Sequence, residues 1–78
     1  MSNIDKYTAT FAESFGVEVS VVPALKYQDV EEWDSVGHMR MIALLEDTFD
    51  IMMDIDDIID FSSFEKGKEV LAKYGVTV

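Results

Sequence analysis

Ile4, Tyr7, Thr8, Phe11, Ala12 and Phe15 recur along the first stretch of the chain with the 3.6-residue period of one helix face. The spacing predicts an amphipathic first helix, capped by Asn3 and stopped at Gly16, which accepts left-handed backbone. Over residues 17–33 neither helical spacing nor alternation holds, and Pro23 forbids a continuous helix. A long loop is expected there, with one turn near residues 20–25. The pattern resumes over residues 35–49 as a second helix, capped by Asp34 or Ser35. Met39, Ile42, Leu45 and Phe49 form its inward stripe, with His38 inside it. The opposite side carries Val36, Arg40, Ala43, Leu44 and Asp47, more apolar than a solvated face requires.

Asp54 is placed to cap a short third helix over residues 55–60, with Asp56 and Asp57 favourable in its first turn. Ser62 with Glu65 reads as a capping box that opens a last helix. Phe64, Val70, Leu71 and Tyr74 would face inward, and Gly75 would end it. No strand pattern and no repeat emerges. The expected fold is all-α, one domain over residues 1–78: a small four-helix bundle of three main helices and one short one.

Composition narrows the chemistry. Seventy-eight residues hold one domain. Without cysteine there is no disulfide framework, no thiolate zinc site and no thiol nucleophile. No apolar run approaches the ~20 residues of a membrane span, and the first residues lack a basic-then-apolar leader pattern. A soluble, cytoplasmic monomer is expected. The net charge is −10, and it is concentrated. Residues 29–60 contain eleven acids and one base, Arg40, while acids and bases balance elsewhere. Nucleic acid and membrane insertion are disfavoured, and basic partners are favoured.

Ser35 is the candidate for chemistry. A serine in the first turn of a helix meets unpaired N–H groups and the positive end of the helix dipole, which suits a phosphate ester. Met39, Met41, Met52 and Met53, with Ile55, Ile58, Ile59 and Phe61, read mostly as core, with the prospect of an adaptable apolar cleft. Asp34, Ser35 and His38 suggest a hydrolytic triad, but no Gly-x-Ser-x-Gly elbow and no evident oxyanion hole accompany them, so no enzyme is expected. Asp54, Asp56, Asp60 and Glu65 fall at calcium-loop positions, but Ile58 and Ile59 stand where an acid or amide and then a glycine are needed. No dedicated metal site is expected, only loose divalent-cation binding that relieves repulsion between acids.

Asp34-Ser35-Val36, followed by Glu46-Asp47-Thr48-Phe49, resembles the acyl carrier protein family over nearly the whole chain in length, acidity, long first loop, short third helix and capped fourth helix. The resemblance implies 4′-phosphopantetheine on Ser35, with Asp34 as the flanking motif residue. A phosphopantetheinyl transferase would take the group from coenzyme A, using Mg²⁺. Acyl groups would then ride as thioesters on the arm, which brings the thiol this chain lacks. Acyl-loading and acyl-using enzymes with basic docking surfaces would meet Val36, Arg40, Ala43, Leu44, Asp47, Asp54, Asp56 and Asp57. Three positions depart from fatty-acid carriers: Val36 stands for leucine, Glu32-Trp33 for a glycine stretch, and Arg40 for an acid. Trp33-Asp34-Ser35-Val36-Gly37-His38 is similar to carriers of specialised pathways, such as surface-sugar or secondary-metabolite assembly. The alternatives are an aminoacyl or peptidyl carrier, or an unmodified acidic interaction module.

Overall fold

Residues 2–78 are described by a computed structural model. Among them the chain forms α1 (Asn3–Phe15), a 3₁₀ turn (Val22–Ala24), α2 (Ser35–Phe49), α3 (Ile55–Asp60) and α4 (Phe64–Ala72). The expected all-α bundle is the observed one. Its only strand-like pairing among the described residues is one antiparallel bridge, Lys26 with Ser63, where the long loop crosses the start of α4.

Local chemistry sets the helix ends, and at two of them a different residue acts than the one expected. Ser2 caps α1, its Oγ accepting from the Asp5 N–H; Asn3 lies inside the helix and donates to the Thr77 carbonyl at 3.1 Å. Ser63, not Ser62, caps α4, accepting from the Lys66 N–H at 2.9 Å. The bridge to Lys26, with the Tyr27 N–H on the Ser62 carbonyl, keeps residues 62–63 extended, so the helix starts one residue later. Asp54 stands at the start of α3, but its side chain makes no cap. Gly16 closes α1 in left-handed backbone as expected. Asp50 closes α2 the same way at φ 54°, a conformation aspartate tolerates better than most residues.

Tyr7, Phe11 and Phe15 of α1 meet Trp33 of the loop and Phe61 and Phe64 around the start of α4, all essentially inaccessible. Phe11 is the hub, with edge-on or stacked contacts to five other rings. Tyr7 keeps its hydroxyl in this setting by donating to the Phe64 carbonyl at 2.7 Å. Burial, then the Glu65 charge, pushes its phenol well above the usual range. Gly67 makes the close approach possible: a Cβ there would overlap the Tyr7 hydroxyl and the Phe61 ring.

The inward face of α2 differs from the expected stripe in one residue. Ile42 and Leu45 are buried and Phe49 half-buried, but Met39 is 53% exposed and Met41 is fully buried in its place. Steps of three residues advance 300°, so Met39 lies 60° from Ile42 and 120° from Leu45, beyond the edge of the stripe. The methionine and isoleucine cluster is also less buried than expected. Met41, Met53 and Phe61 are core and Ile58 is half-buried, while Met52, Ile55 and Ile59 are 87%, 72% and 74% exposed.

Candidate functional site

Asp34 takes the capping role at α2, its carboxylate accepting from the Gly37 N–H at 2.8 Å. That frees Ser35, the first residue of the helix, whose side chain is exposed and engaged in no hydrogen bond among the described residues. Gly37 fixes the approach. A Cβ at this position would overlap the Glu32 carbonyl oxygen, so only glycine lets the loop end press onto the first turn of α2. Trp33, two residues before Ser35, is wholly buried and stacks on Phe15 at 5.0 Å between ring centroids. The serine therefore stands on a helix end held by a buried indole, a carboxylate cap and a glycine contact.

Next to Ser35 opens a cleft of about 320 Å³. Met39, Ile58, Ile59 and Phe61 give it apolar walls, and Ser35, His38, Tyr27 and Ser62 complete the lining. His38 does not face Ser35 as a base would. Its Nδ1 accepts from the Trp33 indole N–H at 2.9 Å, and its Nε2 meets the Ile58 carbonyl at 2.7 Å. An indole N–H only donates, so Nδ1 is the acceptor and Nε2 carries the proton given to Ile58. With both ring nitrogens committed, the triad of Asp34, Ser35 and His38 is not assembled. The chemistry on offer is a free hydroxyl at a positive helix end, beside an apolar cleft.

The surface residues fall in two groups. Val36, Arg40, Ala43, Leu44 and Asp47 lie together on the exposed side of α2, as their spacing requires. Arg40 makes no ion pair among the described residues, and its helical neighbours Val36, Gly37, Ala43 and Leu44 carry no charge. From Ser35 to Leu45 the helix holds no acid. Glu46, oddly placed at the negative end of the helix, turns back to accept from the Met53 N–H at 2.9 Å. Asp54 and Asp56 are exposed, but Asp57 is half-buried and bound by Tyr74 and Lys73. Those bonds, Tyr74 first and Lys73 next, hold its carboxyl below the usual carboxylate range. No three acidic or histidine side chains among the described residues converge as a metal site.

Trp33, Tyr27 and Ser62 are the parts of the site that sequence reasoning did not assign. Trp33 lies in an aperiodic, acid-rich stretch, where only the size of the side chain hints at burial. Tyr27 and Ser62 come together through the Lys26–Ser63 bridge, a long-range pairing without a periodic signal. No helix among the described residues is long and apolar enough to cross a membrane. No family model, curated protein or solved structure matches the chain.

Proposed function

We propose that the protein is a carrier of acyl groups, with Ser35 as the attachment point for 4′-phosphopantetheine. The observation that carries this reading is the position of Ser35: exposed, unbonded, at the first residue of α2 and on the lining of an apolar cleft. The residues present suit such a group. A phosphodiester on Ser35 would meet the unpaired first-turn N–H groups and the helix dipole. When bound, the arm supplies the thiol that carries cargo as a thioester. The chain's own residues do the rest: Asp34 and Gly37 hold the helix end, and Met39, Ile58, Ile59 and Phe61 offer shelter to an apolar tail. A cytoplasmic location, a basic phosphopantetheinyl transferase and basic acyl-processing enzymes as partners belong to the same reading. Val36, Gly37, His38 and Arg40 favour a specialised pathway over general fatty-acid synthesis.

The test is intact mass spectrometry after incubation with coenzyme A, Mg²⁺ and a broad-specificity phosphopantetheinyl transferase. One phosphopantetheine is expected on the protein and none on Ser35→Ala. Because Asp34 is the cap, that substitution should cost well under the ~1 kcal/mol of a lost cap. Absence of modification, or its persistence in Ser35→Ala, rejects the reading; an unmodified wild type leaves the acidic interaction module.

A further inference from the structure

The three tyrosines use their hydroxyls differently. Tyr7 spends its own on the Phe64 carbonyl, and Tyr74 spends its own between the Asp54 N–H and Asp57. Tyr27 lines the cleft beside Ser35, and its hydroxyl makes no hydrogen bond among the described residues. Ser62, on the same cleft, also keeps its Oγ unbonded among them. The Tyr27 N–H donates to the Ser62 carbonyl at 2.9 Å, which holds the two residues side by side. The Tyr27 ring stands edge-on to Trp33 and His38, at 6.2 and 5.6 Å between centroids. A phenylalanine would pack on those rings equally well, so packing leaves the hydroxyl unexplained.

The rest of the lining narrows what those hydroxyls hold. His38 has both ring nitrogens committed, to Trp33 and to Ile58, so it offers nothing polar to a guest. No lysine, arginine, aspartate or glutamate lines the cleft. A carboxylate or an ammonium entering it would shed water without gaining a counter-ion. Three hydroxyls remain, those of Ser35, Tyr27 and Ser62, against apolar walls. A hydroxyl both donates and accepts, which matches an uncharged group that does the same: an amide or an alcohol.

We propose that Tyr27 and Ser62 form a polar subsite that holds an uncharged amide or hydroxyl group of what is attached to Ser35. The delivery of that group rests on the reading of Ser35 as the attachment point. Two sources bring the chemistry to the cleft: the amides of the phosphopantetheine arm, and a hydroxyl on its acyl cargo. The buried neighbours Leu25 and Phe61, with the Lys26–Ser63 bridge, hold this edge of the cleft in place. Neither residue makes or breaks a bond. Their role is to hold the arm or its cargo against the protein.

Reactivity of the arm tests the subsite. Tyr27→Phe keeps the ring, and Ser62→Ala keeps the carbonyl that accepts from Tyr27, so both variants should fold and melt as the wild type does. Neither changes the charge, so encounter with a charged reagent is the same in all three proteins. Each is loaded with bare phosphopantetheine, with an octanoyl arm and with a β-hydroxyoctanoyl arm, and intact mass confirms the load. The bare thiol is timed with an aromatic disulfide reagent, and the thioesters with hydroxylamine. A held arm is shielded, so loss of one hydrogen bond should speed the reaction roughly two- to tenfold. Acceleration that does not depend on the cargo hydroxyl assigns the subsite to the arm's amides. Acceleration with β-hydroxyoctanoyl alone assigns it to the cargo hydroxyl. Indifference of all three loads to both variants overturns the subsite, and so does a lowered melting temperature, which would give the hydroxyls a structural role. A wild type that takes no phosphopantetheine rejects the attachment reading, whereas a loaded Ser35 with unchanged rates rejects the subsite alone.

Discussion

Between α1, the long loop and α4, six aromatic side chains are almost wholly buried, whereas α3, on the far side of Phe61, fully buries none of its six residues. The aromatic side is held by dispersion and burial, which are cooperative: no ring leaves without opening a void around the others. The cleft side is held by a few directional hydrogen bonds, which break one at a time. Burial makes a fixed frame, and a few hydrogen bonds give α3 a lower local stability. Ser35 stands at the boundary. Trp33 and Gly37 tie its helix end to the frame, and Ser35 itself lines the cleft beside α3.

The largest expected effect comes from emptying the frame. Phe11 lies within 5.0–6.1 Å of five other ring centroids, so Phe11→Ala leaves a cavity that neighbouring rings cannot close. The expected cost is about 3–5 kcal/mol, comparable to the whole stability of a domain of this size. Thermal melts should find the variant largely unfolded. Ile59→Ser, at an exposed site on α3, should shift stability by no more than about 0.5 kcal/mol. Similar losses for the two would erase the distinction between the frame and α3.

A smaller effect, confined to α3, should follow from acid. The Asp57 carboxyl is held below its ordinary value, first by the Tyr74 hydroxyl and then by Lys73. A depressed acid contributes its stabilisation above the unfolded value of ~3.9 and loses it as pH falls through the lower folded value. The bonds from Tyr74 and Lys73 to Asp57 should therefore hold at neutral pH and weaken only below about pH 4. The Asp54 amide resonance should move with that titration while the Phe11 amide does not. Loss of both together would mean that the bonds to Asp57 yield only when the frame does.

How far the sequence could be read follows the same division. Periodicity placed α2, and the acids at its start placed α3, over the residues they occupy, and aromatic spacing located the inward side of α1, because those signals are local. The faces of α2 were legible apart from Met39 and Met41, where steps of three hid the drift of the stripe. Ser35 was legible as a helix-start serine, and its neighbourhood less so. Trp33 reaches the core through a loop without a period, and the bridge that brings Tyr27 and Ser62 to the cleft joins residues 37 apart in sequence. The same bridge moved the last cap from Ser62 to Ser63. The hydrogen bonds that tie His38, Lys73 and Tyr74 to α3 join residues far apart in sequence, and hydropathy does not register them.

The smallest expected effect on stability sharpens the reading of the outer face of α2. Arg40 is exposed, its helical neighbours are uncharged, and no carboxylate pairs with it among the described residues. It belongs neither to the frame nor to the hydrogen bonds on α3, so Arg40→Glu should change stability by less than about 0.5 kcal/mol, checked by denaturant melts. Its effect belongs instead to recognition. The charge of residues 29–60 is −10, yet the first eleven residues of α2 present one cation and no acid. A partner shaped for an acidic helix meets a positive charge there, and opposed like charges select against the wrong partner. Under the carrier reading, a cognate enzyme offers a carboxylate to Arg40, and enzymes of general fatty-acid synthesis offer a base. Arg40→Glu should then raise the rate at which fatty-acid synthesis enzymes load the protein and lower that of the cognate enzyme, with a weaker contrast as salt rises. If both rates stay unchanged, Arg40 is surface charge alone, and the case for a specialised pathway loses its physical support.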